Sequence, residues 1–231
     1  MKRAFAFLLI LVLVTMCFAA CNKPAEPQPV DEQEPEAAVV AEIKDFGYTI
    51  KDNKINYAVC LKNIHENSVM PEGKYIARLT MFDKEGTEID SCYIGTPELY
   101  PKAEVWTAGT HYFSVKNWES ITDVKLNLYD LADTASHLSL KDAKHQVFTP
   151  LQATVINKNG KELSGEILNY NHYGIENVKA VVVFRNADGT VTGGFEIRVN
   201  PIDATGTIPF SVYFAEEITD NVTVFVTSRI N

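Results

Sequence analysis

From about residue 46 the chain runs as short stretches in which apolar and polar residues alternate, separated by turn residues. This is the period-two pattern of half-buried strands. Segments 48–51 and 55–63 flank Asp52-Asn53, while 75–82 and 87–94 flank Asp83-Lys84-Glu85-Gly86. Both arrangements predict β-hairpins. After Pro101, segments 105–115 and 124–131 bring the set to six strands. No stretch of about a dozen residues carries helical periodicity, so the pattern predicts an all-β chain.

Laying the second half on the first predicts an internal repeat. Tyr48-Thr49-Ile50-Lys51-Asp52 corresponds to Ala153-Thr154-Val155-Ile156-Asn157, and Leu61 and Asn63 to Ile167 and Asn169. The Phe82 to Gly86 turn matches Phe184 to Gly189, and Pro101 matches Pro201. Phe113-Ser114-Val115 recurs as Phe210-Ser211-Val212, and Ile121-Thr122-Asp123 as Ile218-Thr219-Asp220, with the same spacing between Phe and Ile. The copies span 46–131 and 146–231, and strands this short with hairpin turns favour two-sheet sandwiches. Domain bounds of 45–135 and 146–231 follow. The first copy carries a longer loop, 64–74, between its second and third strands.

The front of the chain has another pattern. Lys2 and Arg3 precede an almost wholly apolar run that ends in Phe18-Ala19-Ala20-Cys21. This is the layout of an export signal over 1–20. Because small residues lead into a cysteine, the segment resembles the lipobox of bacterial lipoproteins, although Phe18 stands where that family usually has an aliphatic residue. The resemblance implies that Cys21 carries the lipid and becomes the first mature residue, with more than one acyl chain giving a stable anchor. Residues 21–44 follow as a tether, with Pro24, Pro27, Pro29 and Pro35 among Glu26, Asp31, Glu32, Glu34 and Glu36. Such a composition stays disordered and extended, reaching up to about 60 Å at roughly 3.1 Å per residue.

The repeat also resembles the small immunoglobulin-like sandwich domains of the FxLYD type found in bacterial lipoproteins. Gly165-Glu166-Ile167-Leu168-Asn169, the apolar run 178–184, Asp188-Gly189 and, in the first copy, Leu126-Asn127-Leu128-Tyr129-Asp130 carry this resemblance. It implies two tandem immunoglobulin-like β-sandwich domains that act as interaction or spacer modules without catalytic residues.

Charge and chemistry narrow the function. Thirty acidic side chains face twenty-one basic ones, for a net charge of −9. A surface of that sign repels phosphate backbones, so nucleic acid is not an expected partner. With Cys17 in the signal and Cys21 lipidated, Cys60 and Cys92 are left to form a disulfide or to stay as half-buried thiols. Cys60 alternates with Tyr57, Val59 and Leu61, which points it away from the face they bury and favours free thiols. His65, His111, His137, His145 and His172 form no metal-ligand spacing. The Asp-Gly turns suit hairpins rather than calcium loops, and no cofactor is expected.

A hydrolase would need a triad assembled from distant residues, since no nucleophile elbow is present. Trp106, Trp118, Tyr93, Tyr100 and Tyr112 suit either core packing or a platform for sugar rings; Trp106 and Trp118 are the candidate stacking pair. Ile64, His65, Glu66 and Asn67, with His172 and Tyr173 in the corresponding loop of the second copy, form the candidate partner-binding loops. The sequence thus points to a lipid-anchored extracytoplasmic module of the cell membrane or outer membrane. It would engage membrane lipid through Cys21 and an envelope protein through its loops, the alternative being a glycan held on aromatic side chains.

Overall fold

A computed structural model describes residues 41–66, 68–70, 73, 75–130, 138–139, 150–214, 218 and 221–228. The signal segment, Cys21, most of the tether, Asn67 and most of the segment joining the repeats lie outside the described residues. The strands of the first half are β1 (Ala41–Lys51), β2 (Lys54–Asn63), β3 (Ser68–Val69), β4 (Tyr75–Phe82), β5 (Glu88–Gly95), β6 (Glu104–Tyr112) and β7 (Asp123–Asp130). After β8 (Leu138–Ser139), the second half supplies β9 (Gln152–Asn159), β10 (Glu162–Leu168), β11 (Lys179–Arg185), β12 (Val191–Arg198), β13 (Thr207–Tyr213) and β14 (Asn221–Thr227). The chain is all-β: apart from the 3₁₀ turn Trp118–Ser120, the described residues contain no helix. None could therefore cross a membrane as an apolar helix.

Four antiparallel three-stranded sheets carry the fold, in the orders β1-β2-β6, β5-β4-β7, β9-β10-β13 and β12-β11-β14. The connectivity of the first two sheets is repeated by the second two. Ile55, Val59 and Leu61 of β2 meet Ala77, Leu79 and Met81 of β4 in a first core. Leu163 and Ile167 of β10 meet Ala180 and Val182 of β11 in a second. Alternation decides this, because period two sends every other side chain to the same face.

The intervening residues of β2 and β11 are apolar as well, and they build a third core. Ala58, Cys60, Trp106 and Ala108 on the back of β1-β2-β6 pack against Val181, Val183 and Val191 on the back of β12-β11-β14. The described residues accordingly fall in one compact unit. β12 lies across β1, β2 and β6. A Cβ at Gly47 would lie 1.8 Å from the carbonyl oxygen of Val191, so only glycine allows that approach. The Asn56 side chain accepts from the Gly194 N–H at 2.8 Å and donates to its carbonyl at 2.6 Å, continuing the backbone pattern of a sheet across the junction. Thr49 donates to the Thr192 carbonyl at 2.6 Å, and Arg185 pairs with Asp45 at 3.1 Å.

The two halves are stacked in the same sense, since β1-β2-β6 of the first meets the sheet of the second that corresponds to β5-β4-β7, which is a heterologous arrangement. The two outward faces left over are more polar than the buried ones. Ser164, Glu166, Pro209 and Ser211 stand on β9-β10-β13 at the ladder positions of Ala58, Cys60, Trp106 and Ala108. Arg78, Thr80 and Asn127 stand on β5-β4-β7 at the ladder positions of Val181, Val183 and Phe225. Polar outer faces of this kind end a stack of repeats.

Two details differ from the sequence reading. β1 begins at Ala41, inside the expected tether, because Ala41 and Ile43 pair with Asn63 and Leu61 and join the first core. Within the long loop, Ser68-Val69 pairs with Leu138-Ser139 from the segment joining the repeats.

Candidate functional site

The loops that connect β2 to β4, β5 to β6, β10 to β11 and β12 to β13 gather at one end of the molecule, and a buried asparagine organises each half of that end. Asn63 ends β2, accepts from the His65 N–H at 2.9 Å and donates to the Leu99 carbonyl at 3.0 Å. Asn169 does the same after β10, accepting from the Asn171 N–H at 2.9 Å and donating to the carbonyls of Tyr173 and Asp203. Both are almost wholly buried. Such bonds fold the chain back tightly after each strand and fix the direction of Ile64, His65 and Glu66 in one loop and of His172 and Tyr173 in the other.

Lys102 locks the first loop from beneath. Its ammonium donates to the Ile64 carbonyl at 3.1 Å and pairs with Glu66 at 3.3 Å, while its own N–H reaches the His65 carbonyl at 3.3 Å. The residue sits at φ 60°, as Thr205 sits at φ 52° in the second half, where the Thr205 N–H reaches the Asn171 carbonyl. His65 therefore matches Asn171 and not His172. The two histidines share a loop type but not a position, and His172 projects into solvent.

Between the two loop sets lies a cleft of about 480 Å³. Pro97 and Glu98 form one wall, and Glu176, Lys179, Arg198 and Thr227 are among the residues of the other. Lys179 is held by Glu196 at 3.0 Å, and Glu196 also accepts from Thr107 at 2.8 Å. Tyr100 stands beside the cleft. Burial, a hydrogen bond to Glu98 and the neighbouring Tyr173 together push its phenol well above the ordinary tyrosine range. Tyr170 is half exposed on the same loop as Tyr173. This end can recognise a ligand through opposed charges, phenols and hydroxyls. Among the described residues no three His, Cys, Asp or Glu side chains converge as a metal site would require.

The remaining sequence candidates disperse. Trp106 is 6% exposed; its ring stacks on Phe225 at 5.2 Å and faces the Arg185 guanidinium at the same distance. The expected sugar stacking at Trp106 is therefore corrected, since the third core has taken the ring. Trp118 is half-buried, stacks on Phe113 at 6.2 Å and belongs to the first core, well apart from Trp106. Cys60 and Cys92 are free thiols on opposite sides of the β1-β2-β6 sheet, Cys60 in the third core and Cys92 against the first. Burial raises both to about 11. Cys21 and Asn67 lie outside the described residues.

No protein-family model and no curated protein matches the chain. Among solved structures, a deletion mutant of Bacillus subtilis oxalate decarboxylase aligns with 81% of this chain and 76% of its own, at 11% identity and a TM-score of 0.12. A cupin 2 conserved barrel domain protein from Leptotrichia buccalis aligns with 81% and 91%, at 9% identity and a TM-score of 0.12. Likenesses at that level carry nothing about fold or activity.

Proposed function

We propose that the chain is an extracytoplasmic lipoprotein of the cell envelope, anchored through Cys21, whose two immunoglobulin-like sandwiches serve as one stiff head that grips an envelope protein. One observation carries the reading. The two asparagine-pinned loops, the cleft and Ala41, where the chain leaves the acidic tether, all occupy the same end. Ala41 pairs directly with Asn63, the residue from which the first loop departs. The apolar run ending at Cys21 and the Pro/Glu-rich stretch behind it supply the anchor and the reach.

Recognition at this end uses the exposed Glu66, His172 and Tyr170 around the cleft, with Ile64, His65 and Glu66 already held by Asn63 and Lys102 so that little of their freedom is lost on binding. Two measurements test the reading. Cells fed an alkyne fatty acid label the wild type and not Cys21→Ala; an unlabelled wild type removes the anchor. A photo-crosslinking residue at position 66 or 172 gives one defined envelope-protein adduct in intact cells, whereas the same group at position 112, an exposed site near the far end, gives none. Equal adducts from all three positions would remove the binding end.

A further inference from the structure

The outer face of β5-β4-β7 carries two exposed tyrosine rings that neither core uses, besides a half-buried Phe82 whose ring the Lys125 ammonium covers at 5.1 Å. Tyr93 on β5 is 68% exposed and Tyr129 on β7 is 47% exposed. Both point away from the first core, because Tyr93 lies opposite Arg78 and Tyr129 opposite Ile76, the outward residues of β4. Two strand spacings of about 4.8 Å and two residues along the strand set their backbones about 12 Å apart.

The floor between the rings is shallow and shaped. Ile76 is flanked by Tyr129 on one side and by Gly95 on the other, and above Gly95 the space is open. Arg78 supports Tyr93: its guanidinium lies 6.0 Å from the ring centre and is itself fixed by Glu88 at 2.7 Å and by the Ser91 hydroxyl at 3.2 Å. Asn127 stands beside Arg78 on β7, exposed, with its carboxamide available. The charges on this face cancel, Arg78 against Glu88 and Lys125 against Asp123 at 3.7 Å.

We propose that this face binds a neutral glycan chain, with Tyr93 and Tyr129 stacking on two of its pyranose rings and Asn127 hydrogen-bonding a hydroxyl between them. Flat aromatic faces attract the C–H side of a sugar ring, and a neutral, hydroxyl-rich ligand suits a face whose charges are already paired. Comparison of the two repeats separates this occupant from a protein. In the second repeat the same face takes a sheet, and does so with Val181, Val183 and Phe225. The first repeat has Arg78, Thr80 and Asn127 in those places. It has gained its tyrosines where the second repeat has Glu196 and Thr227. This inference goes beyond the protein-gripping role and depends neither on the anchor nor on the loop end.

The test titrates the full chain, purified in detergent, with cellohexaose, chitohexaose, xylohexaose, laminarihexaose and mannohexaose, all uncharged, read by calorimetry. At least one is expected to bind. Tyr93→Ala and Tyr129→Ala are each expected to weaken it about fivefold or more, Tyr93→Phe to retain it, and Tyr213→Ala, an exposed tyrosine of the other repeat, to leave it unchanged. Thermal unfolding midpoints of both alanine variants within a few degrees of the wild type show that the fold is not what the alanine removes. Absence of binding to every probe overturns the proposal, as does binding that both alanine variants keep.

Discussion

Cys60 and Cys92 show how a single side chain reads its surroundings. Both thiols are driven from an ordinary value of 9.0 to about 11, in each case mainly by burial, with nearby carboxylates adding to the shift. The folded chain holds these protons more tightly than the unfolded chain does, so the stability gained is complete below pH 9 and is lost as pH rises towards 11. Urea midpoints measured across that window should fall more steeply for the wild type than for a variant carrying Cys60→Ala and Cys92→Ala. Parallel curves would show that the thiols do not set alkaline stability. Alternation in the sequence already placed Cys60 behind Val59 and Leu61. What it could not reveal was that a third core waits on that side, because that needs knowledge of which sheet turns its back on which.

At the level of the strand and its turns, the repeat was legible but its register was not. The shared turns, the Asn63 and Asn169 pair and the order of strands hold in three dimensions. Phe113-Ser114-Val115 and Phe210-Ser211-Val212 are not counterparts, however. Phe113 and Phe214 occupy the matching place, since each donates its N–H to the first hairpin of its repeat, at the Asn53 and Lys161 carbonyls. The triplets mislead because the β1-β2 hairpin is longer than the β9-β10 hairpin, which slides later residues against the ladder. Pro101 and Pro201 fail for a similar reason: backbone bonds match Lys102 with Thr205, leaving Pro101 opposite Ala204. In the turns that join β4 to β5 and β11 to β12, Gly86 and Gly189 do correspond, each donating to the residue that opens its turn, but Phe82 then matches Arg185.

The Lys102 and Thr205 equivalence yields a prediction for this element. A β-branched residue at φ 52° is strained, by about 1–2 kcal/mol. Asparagine tolerates that conformation without the entropy cost of glycine, so Thr205→Asn should stabilise the chain by about 0.5–1 kcal/mol in chemical denaturation. A lower midpoint would mean that the local Thr205 hydroxyl bond to Ala204 outweighs the strain.

For the whole molecule, the third core makes two repeats behave as one. Its close contacts at Gly47 and the paired Asn56–Gly194 bonds couple cores that would otherwise melt separately. Calorimetry should record a single transition for the wild type. Gly47→Val forces β12 away from β1 and should resolve that transition into two, with little loss in the second half. Two transitions already in the wild type would show that the junction is too weak to transmit cooperativity. The tandem repeat was legible in the sequence, but the glycine and the asparagine that weld its copies look unremarkable in a strand, and only their cross-repeat partners give them meaning.

The position of Ala41 also decides how the molecule answers a pull. β1 is joined to β2 by ten residue pairs, starting with Ala41 opposite Asn63. With the anchor proposed at Cys21, a partner gripping the loop end would draw against Ala41 at the same end of that ladder, opening it pair by pair like a zip at low force. A partner gripping the opposite tip, at Asp52-Asn53, would instead pull along the covalent backbone of β1, which joins Ala41 directly to that tip, and would open none of the ten pairs. The same head would then let go gently in one direction and hold hard in the other.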